Sequence, residues 1–248
     1  MRPGTVRLMI RRTLAVALLV TSSLSSCDVV LGEQGSGVIA TRRFDLPAGV
    51  QRIELGDAFR ATITTGTMKP SATVAMDDNL LDRLDVEIDG DTVAIDLGGR
   101  VRDATLRVAI GVIRLRELRL TGASHASVEE GLGLTDDVTV EGSGASEVRL
   151  GSVDLDEFDV SLSGASKLSG ARGGANQITA EVSGASTLAL FGVEADEAQV
   201  DVSGASRAEV TVRDRLEAKA SGASTVAYRG DPDHVIRDES GASSIEPA

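Results

Sequence analysis

The chain has few of the residues on which disulfide frameworks, metal sites and sugar-binding sites usually depend. Its 248 residues include one cysteine, no tryptophan, one tyrosine, four phenylalanines and two histidines. A single cysteine excludes an internal disulfide, and His125 and His234 cannot assemble a zinc cluster. The scarcity of aromatic rings argues against a sugar-cleaving enzyme, whose binding sites are commonly lined by them. No P-loop, Gly-x-Ser-x-Gly elbow or Ser-x-x-Lys motif occurs.

Positive charge is also scarce. The chain carries 25 Lys and Arg against 38 Asp and Glu, a formal net charge of −13. Four of the arginines and none of the acids fall in residues 1–26, so residues 27–248 carry −17. This balance predicts no nucleic-acid partner and disfavours electrostatic adhesion to anionic lipid surfaces, because both are negatively charged.

Long apolar runs are missing apart from one near the start. Residues 14–20 form an apolar run behind three arginines, and this run is too short to span a bilayer. Residues 24–27, Leu-Ser-Ser-Cys, then resemble a bacterial lipobox, in which the signal is cleaved before a cysteine that receives a lipid. We therefore predict a lipoprotein signal peptide over 1–26, a lipid on Cys27, a tether over 27–36 and a membrane-anchored lipoprotein of the cell envelope. The alternative is an ordinary secretory signal with a chance cysteine.

One tripeptide is abundant. Gly-Ala-Ser occurs seven times, each time after Ser or Thr, and its glycines lie 18 to 22 residues apart: Gly122, Gly144, Gly164, Gly184, Gly204, Gly222 and Gly241. A near-constant period of about 20 residues is typical of a repeat architecture.

The residues around each copy alternate between apolar and polar. Val200 and Val202 flank Asp201 before one copy, and Arg207 and Ala208 follow it. This alternation predicts two short strands per repeat, each with one buried face. Such repeats, without any helical apolar stripe, predict an all-β parallel β-solenoid (β-helix) with about 20 residues per coil. An antiparallel sandwich is less favoured, because its strands need not repeat in sequence.

Two local geometries would explain the small residues. If each strand runs straight through the motif, Gly and Ser point inward; if the chain bends there, Gly supplies a positive φ and Ser bonds neighbouring backbone groups at a corner. Either way the motif is structural, whereas seven equivalent serine nucleophiles lack a supporting motif. Function is then expected in the polar column that follows each Ser, beginning at His125, and in an acidic column.

That acidic column lies eight residues before each of the last six glycines: Asp136, Asp156, Asn176, Asp196, Asp214 and Asp233. Asp and Asn favour tight turns because their side chains cap backbone amides. The alternative is a calcium ladder, since calcium prefers several oxygen ligands, with Asp136, Asp156, Asn176, Asp196 and Asp214 as candidates. The Gly-Gly-x-Gly-x-Asp repeat of calcium-binding solenoids is absent, so turn capping is favoured. The sequence predicts no cofactor and no catalytic residue.

Residues 37–118 are strand-like but lack Gly-Ala-Ser. We predict that they form less regular coils, continuous with the marked coils of 119–248 in a single domain. Asp89-Gly90, between two alternating segments, predicts a hairpin. In the last repeat Arg237 and Glu239 occupy positions that are apolar elsewhere. A polar last repeat is typical of the end of a solenoid.

Three blocks follow one another in a specific order. They are Gly35-Ser36-Gly37-Val38-Ile39 with Arg43-Phe44-Asp45, Val74-Ala75-Met76-Asp77-Asp78-Asn79-Leu80-Leu81, and Leu115-Arg116-Glu117-Leu118-Arg119-Leu120. With the Gly- and Ser-rich coils they resemble the bacterial putative auto-transporter adhesin head GIN domain family over about residues 35–246. The resemblance implies a right-handed, mostly β-helical domain on exported or lipidated envelope proteins, with no established activity.

Two classes of function remain. The first is a non-catalytic, lipid-anchored module of the cell envelope whose long flat faces bind an envelope protein or a polysaccharide. The alternative is a polysaccharide lyase or hydrolase with paired carboxylates such as Asp136 and Asp156, although Phe158 and Phe191 fall at core-like positions. Ice binding through hydroxyl rows is a third hypothesis, which lacks the Thr-x-Thr arrays that such surfaces favour.

Overall fold

The computed structural model describes residues 32–129 and 137–248. These residues form strands almost throughout, with one short 3₁₀ helix over Asp78–Arg83. The strands are β1 (Glu33–Gln34), β2 (Ile39–Asp45), β3 (Arg52–Leu55), β4 (Arg60–Thr64), β5 (Ser71–Asp77), β6 (Leu84–Asp89), β7 (Thr92–Leu97), β8 (Val101–Arg102), β9 (Leu106–Gly111), β10 (Glu117–Leu120), β11 (His125–Val128), β12 (Val138–Gly142), β13 (Glu147–Leu150), β14 (Ser152–Leu162), β15 (Lys167–Ser169), β16 (Arg172–Val182), β17 (Thr187–Val202), β18 (Arg207–Ala220), β19 (Thr225–Arg229), β20 (His234–Glu239) and β21 (Ser244–Pro247).

The Gly-Ala-Ser half forms the predicted parallel β-solenoid. About six turns stack with a repeat of about 20 residues, and the strands pair in parallel with their counterparts one coil away. Val160, for example, lies beside Val140 in the preceding coil and Ala180 in the next. Because alternate residues of each strand point inward, these apolar side chains form one core along the axis. Phe158 lies in this core and is fully buried.

From β14 onward each coil has three faces, whereas the sequence pattern predicted two strands. Face A comprises the strand segments before each corner: β10, β12, 158–162, 178–182, 198–202, 216–220 and β20. Face B comprises the segments after each corner: β11, β13, β15, the first residues of β17 and β18, β19 and β21. Face C comprises 152–155, 172–175, 193–195 and 211–212. In β14 the chain turns from face C to face A at Asp156 and Glu157, two successive exposed residues.

The chain bends at each Gly-Ala-Ser, which decides between the two predicted geometries. All seven glycines have φ between 70° and 80°, a region that side-chain-bearing residues avoid. The N–H of Ala165 donates to the carbonyl of Gly144 in the preceding coil at 2.7 Å. A Cβ on Gly164 would lie 2.5 Å from that same oxygen. Glycine is therefore required both for the turn and for the close approach of successive coils.

The serines of the motif line the inner side of the same corner. Six of them are at most 3 % exposed: Ser124, Ser146, Ser166, Ser186, Ser206 and Ser224. Ser186 Oγ accepts a hydrogen bond from the Ser166 amide at 3.2 Å, and Ser146 Oγ donates to Ser166 Oγ at 3.1 Å. The buried hydroxyls are thus satisfied within the ladder, as buried polar groups must be.

The N-terminal coils stack out of chain order. β3 lies between β7 and β10 on face A, and β4 lies between β9 and β11 on face B. Beyond β7 and β9 the pairing becomes antiparallel, with β6 on β7, β5 on β9 and β2 on β5. The β6–β7 pair confirms the hairpin predicted at Asp89-Gly90. These antiparallel strands extend the sheet beyond the N-terminal coil, where simple coil-on-coil stacking ends.

An eighth corner lies at residues 56–59, Gly-Asp-Ala-Phe, which the sequence pattern did not reveal. Asp57 occupies the glycine position with a φ of 58°, and its carbonyl accepts from the Ala123 amide at 2.6 Å. Its carboxylate accepts from the Leu97 amide at 2.6 Å. Phe59 occupies the serine position and is fully buried. Aspartate tolerates this backbone region better than most residues, so the corner forms without the motif.

Part of the segment predicted as a tether is held against the fold. β1 pairs with β8, and the Ser36 amide donates to Asn79 Oδ1 at 2.9 Å. The buried Asp77 carboxylate accepts from the amides of Gly37 at 2.6 Å and Thr105 at 2.7 Å. Residues 33–37 are therefore held by strand pairing and by hydrogen bonds to the side chains of Asn79 and Asp77. The composition of the segment gave no sign of these contacts. The predicted signal peptide and Cys27 lie outside the described residues.

The last coil carries charged residues at two positions that are apolar in the other coils, Arg237 and Glu239, as its sequence predicted. All six residues of β20 are exposed, Val235 and Ile236 among them, and the Arg237 guanidinium donates to the hydroxyl of Tyr228. Glu239 Oε1 accepts from the Ile245 amide at 2.8 Å. Charged side chains thus stand where the preceding coils have apolar ones.

We expect Gly164→Ala to destabilise the solenoid more than Gly66→Ala. Both glycines have a φ of 76°, but a Cβ on Gly66 has no atom within 4 Å. Gly66→Ala should cost roughly 1–2 kcal/mol for the backbone conformation alone. Gly164→Ala should lower the free energy of unfolding by roughly 1–3 kcal/mol more, because of the clash with Gly144. Urea denaturation measures both free energies of unfolding. Equal losses in the two variants would show that the contact with the preceding coil adds nothing to the cost.

Candidate functional site

The Gly-Ala-Ser corners present glycine and alanine to solvent and keep serine inside. Ser186 is 1 % exposed and its Oγ is engaged by the Ser166 amide. A buried, hydrogen-bonded hydroxyl cannot meet a substrate in solution. Accessible side chains of the marked coils therefore lie on the three faces and at the other corners.

The acidic column lies at the corner between faces C and A. The amide of Asn176 donates to Asp156 Oδ1 at 2.9 Å, and the guanidinium of Arg213 bonds Asp196; Asp214 is exposed. Within 32–129 and 137–248, no group of three or more His, Cys, Asp or Glu side chains could hold a metal ion. Asp136 lies outside the described residues. The calcium ladder stays a prediction, and the neighbours seen at this corner are an amide and a guanidinium.

Face A is strongly acidic. With the N-terminal strands β3 and β7 that extend it, its outward side chains include nine carboxylates: Glu54, Asp96, Glu117, Glu141, Asp159, Glu181, Asp201, Glu217 and Asp238. Only Arg52, Arg119 and Lys219 oppose them. Arg119 is shared among three acids and lies 2.8 Å from Glu141. Most of this negative charge is therefore left facing solvent.

One carboxylate of face A is electrostatically disfavoured. Partial burial raises the pKa of Asp96 above its ordinary value of 3.8, and repulsion from Asp57 and Asp85 raises it further. Glu54 adds to this repulsion. A Cβ on Gly56 would overlap the Asp96 carboxylate, so the glycine leaves room for it.

Face B has the opposite balance of charge. Its first outward column, starting from β9 and β4, contains Arg107, Arg60, His125, Glu147, Lys167, Thr187, Arg207, Thr225 and Ser244, in register from strand to strand. The second column contains Ala109, Thr62, Ser127, Arg149, Ser169, Ala189, Glu209, Ala227 and Glu246. The two columns together contain five Arg or Lys and three Glu. This confirms the polar column predicted after each Ser.

A shallow depression lies on face B. Its volume is about 260 Å³, and it is lined by Arg60, Ala61, His125, Ala126, Ser127, Glu147 and Arg149. Glu147 lies between two basic side chains, 3.7 Å from His125 Nε2 and 2.9 Å from Arg149 Nη2. The depression therefore places Arg60 and His125 of the first column close to the hydroxyl of Ser127 in the second column.

Aromatic side chains contribute little to the accessible surface. Phe59 and Phe158 are fully buried, and Tyr228 is 6 % exposed. Phe44 packs against the core. Phe191, placed in the core by its sequence position, is instead half-buried on the outer side, where Arg229 covers its ring at 4.0 Å. No ring in this chain is thus left as an open platform for a sugar.

No helix in the described part of the chain has the length and hydropathy of a membrane span.

The family model described as "putative auto-transporter adhesin, head GIN domain" matches residues 50–232. No functionally curated protein matches the chain.

Solved structures share the fold at low sequence identity. A putative adhesin from Bacteroides fragilis is 19 % identical with a TM-score of 0.80, covering 88 % of this chain and 100 % of its own. A putative lipid binding protein from Parabacteroides distasonis is 19 % identical with a TM-score of 0.69, covering 87 % of this chain and 98 % of its own. A putative adhesin from Parabacteroides merdae is 18 % identical with a TM-score of 0.63, covering 87 % and 98 %.

We expect Asp96→Asn to stabilise the protein near neutral pH. A raised pKa means that the folded state binds the proton more tightly than the unfolded state, so ionised Asp96 opposes folding. The penalty is complete above the folded pKa and disappears as the pH falls below 3.8, where both states are protonated. The gain should stay within about 0.5 kcal/mol, because water screens this exposed group.

Thermal unfolding of Asp96→Asn and wild type across this pH range tests the sign. Asp159→Asn is the matched control, since it removes one charge from face A between two threonines, Thr139 and Thr179. A gain that persisted below pH 3.8, or an equal gain in the control, would contradict the explanation.

Proposed function

Because the chain belongs to the putative auto-transporter adhesin, head GIN domain family, we propose that it is a non-catalytic binding module displayed on the bacterial cell envelope. The observation that carries this proposal is the geometry of the solenoid. Its coils repeat in register and form long, regular faces whose outward side chains vary from coil to coil. Such faces suit an extended surface or a polymer.

Several side chains that could serve catalysis are buried or engaged by neighbouring residues, which supports a binding role over catalysis. The repeated serines are buried in the corner ladder, and two of the five aromatic rings are fully buried. The carboxylates Asp156 and Asp196 at the acidic corner are engaged by Asn176 and Arg213. A glycosidase would need one carboxyl group free to donate a proton and a second to act as nucleophile or base.

The location follows from the same proposal. A module that binds surface polymers or proteins has to be exported, and the lipobox-like sequence ending at Cys27 would tether it to a membrane. A single lipid chain gives only reversible attachment, so stable anchoring would need more than one acyl chain.

The binding role predicts saturable attachment without turnover. The purified full chain should bind isolated cell-envelope polysaccharide or surface protein, and paired neutral substitutions on one face should abolish binding while those on another face leave it intact. Glu181→Gln with Asp201→Asn samples face A, and Lys167→Gln with Arg207→Gln samples face B. Release of oligosaccharides that Asp156→Asn abolishes would refute the proposal in favour of a polysaccharide-cleaving enzyme.

The lipid anchor predicts that cells fed labelled palmitate incorporate it into the protein through Cys27. Cys27→Ser should remove the label and move the protein from the membrane fraction to the soluble exported fraction. Because the chain has no other cysteine, a label that survives this substitution would exclude the predicted lipid attachment.

A further inference from the structure

We propose that face B contains an anion-binding groove, lined by Arg60 and with Arg107 in register beside it, that takes a polysaccharide chain bearing carboxylate or sulfate groups. This inference rests on the proposed binding function and specifies its ligand. It concerns the N-terminal end of face B, where β9, β4, β11 and β13 lie side by side.

Three basic side chains are adjacent in this part of the sheet. Arg107 is in register with Arg60, and Arg60 is in register with His125. Neighbouring strands lie about 4.8 Å apart, so the two guanidinium groups project from adjacent positions of one surface. Like charges in directly opposed positions destabilise a sheet. Folding therefore gains nothing from placing these two charges side by side. A bound anion would relieve their repulsion, which points to a ligand.

The two arginines lack a carboxylate partner within the described residues. The nearby carboxylate Glu147 is engaged by Arg149 at 2.9 Å and lies 3.7 Å from His125 Nε2. In contrast, Arg119 on face A lies within 4 Å of three acids. In a chain with a net charge of −13, Arg60 and Arg107 thus place two positive charges side by side without a carboxylate between them.

The surface around Arg60 is concave and polar. The depression of about 260 Å³ is lined by Arg60, His125, Arg149 and one acid, Glu147, together with the small residues Ala61, Ala126 and Ser127. A second depression of about 520 Å³ adjoins it, shares Ser127 and Arg149, and is also lined by Glu129. The two together form a groove, which fits a chain of linked units better than a single small ion.

The chemistry of Arg60 and Arg107 favours an acidic glycan. A guanidinium is planar and binds carboxylate or sulfate oxygens through paired N–H donors, and Ser127 can hydrogen-bond sugar hydroxyls. Neither depression is lined by Phe, Tyr or Trp. A neutral sugar chain would miss the stacking contacts, and a protein partner would miss the aromatic anchors that dominate protein interfaces.

The test compares a double variant at the paired arginines with a double variant elsewhere. Arg60→Gln/Arg107→Gln removes the two adjacent charges, and Arg172→Gln/Lys219→Gln removes two exposed charges from faces C and A. The probes are polygalacturonate for carboxylate, dextran sulfate for sulfate, and plain dextran as the neutral control. Calorimetry at low salt measures binding to the full chain, and circular dichroism verifies that both variants fold.

We expect wild type and the Arg172/Lys219 variant to bind at least one of the charged polymers and not plain dextran. The Arg60/Arg107 variant should bind it at least about tenfold more weakly, as expected for the loss of charge-assisted hydrogen bonds. Added salt should weaken wild-type binding by screening. The polymer that binds more tightly identifies carboxylate or sulfate as the preferred group.

Equal affinities for the two double variants, equal binding to plain dextran, or no binding of either charged polymer by wild type would overturn the proposal. Binding through these arginines to phosphatidylglycerol vesicles, without binding to the polymers, would assign the groove to a membrane surface and would also overturn it. Attachment of a protein or neutral polymer through another face would leave the general binding function standing while this groove proposal fails.

Discussion

The hydrogen bond between successive Gly-Ala-Ser corners governs the rest of the structure. In each coil the alanine amide donates to the glycine carbonyl one coil earlier at 2.7 Å, from Ala145 to Ala242. This contact brings the two backbones so close that no side chain fits at the glycine. Because the corner repeats at one position of every coil, it aligns the strands on either side in register. The core, the flat faces and the columns of outward residues all depend on that register.

The close stacking of the coils leaves no side chain of the Gly-Ala-Ser motif available for catalysis. The serines satisfy one another and the neighbouring backbone inside the corner, so they support the turn without being exposed. Inward positions stay apolar from coil to coil, whereas outward positions differ in charge and size. Face A carries mostly acids and face B mostly bases, so the two faces differ in charge. Long-range charge of this kind selects partners more than it stabilises the fold.

The N-terminal coils use other means to reach the same geometry. Asp57 replaces glycine at the corner and adds a side-chain acceptor for the Leu97 amide. Two of the sequence blocks that carry the family resemblance meet there in space: Ser36 bonds Asn79, and Gly37 bonds the buried Asp77. These blocks therefore form one structural clamp at the end of the solenoid, next to the antiparallel strands that extend the sheet.

Local patterns that recur or alternate were enough to predict the coil length, the parallel stacking, the hairpin at Asp89-Gly90 and the charged residues of the last coil. The bend at the motif, the third face, the corner at Asp57 and the out-of-order stacking of β3 and β4 became visible only in three dimensions. These features depend on contacts between residues far apart in the chain, which no local pattern records. The same holds for Arg60 and Arg107, which are 47 residues apart in sequence. Parallel pairing of β4 with β9 brings them together on one surface.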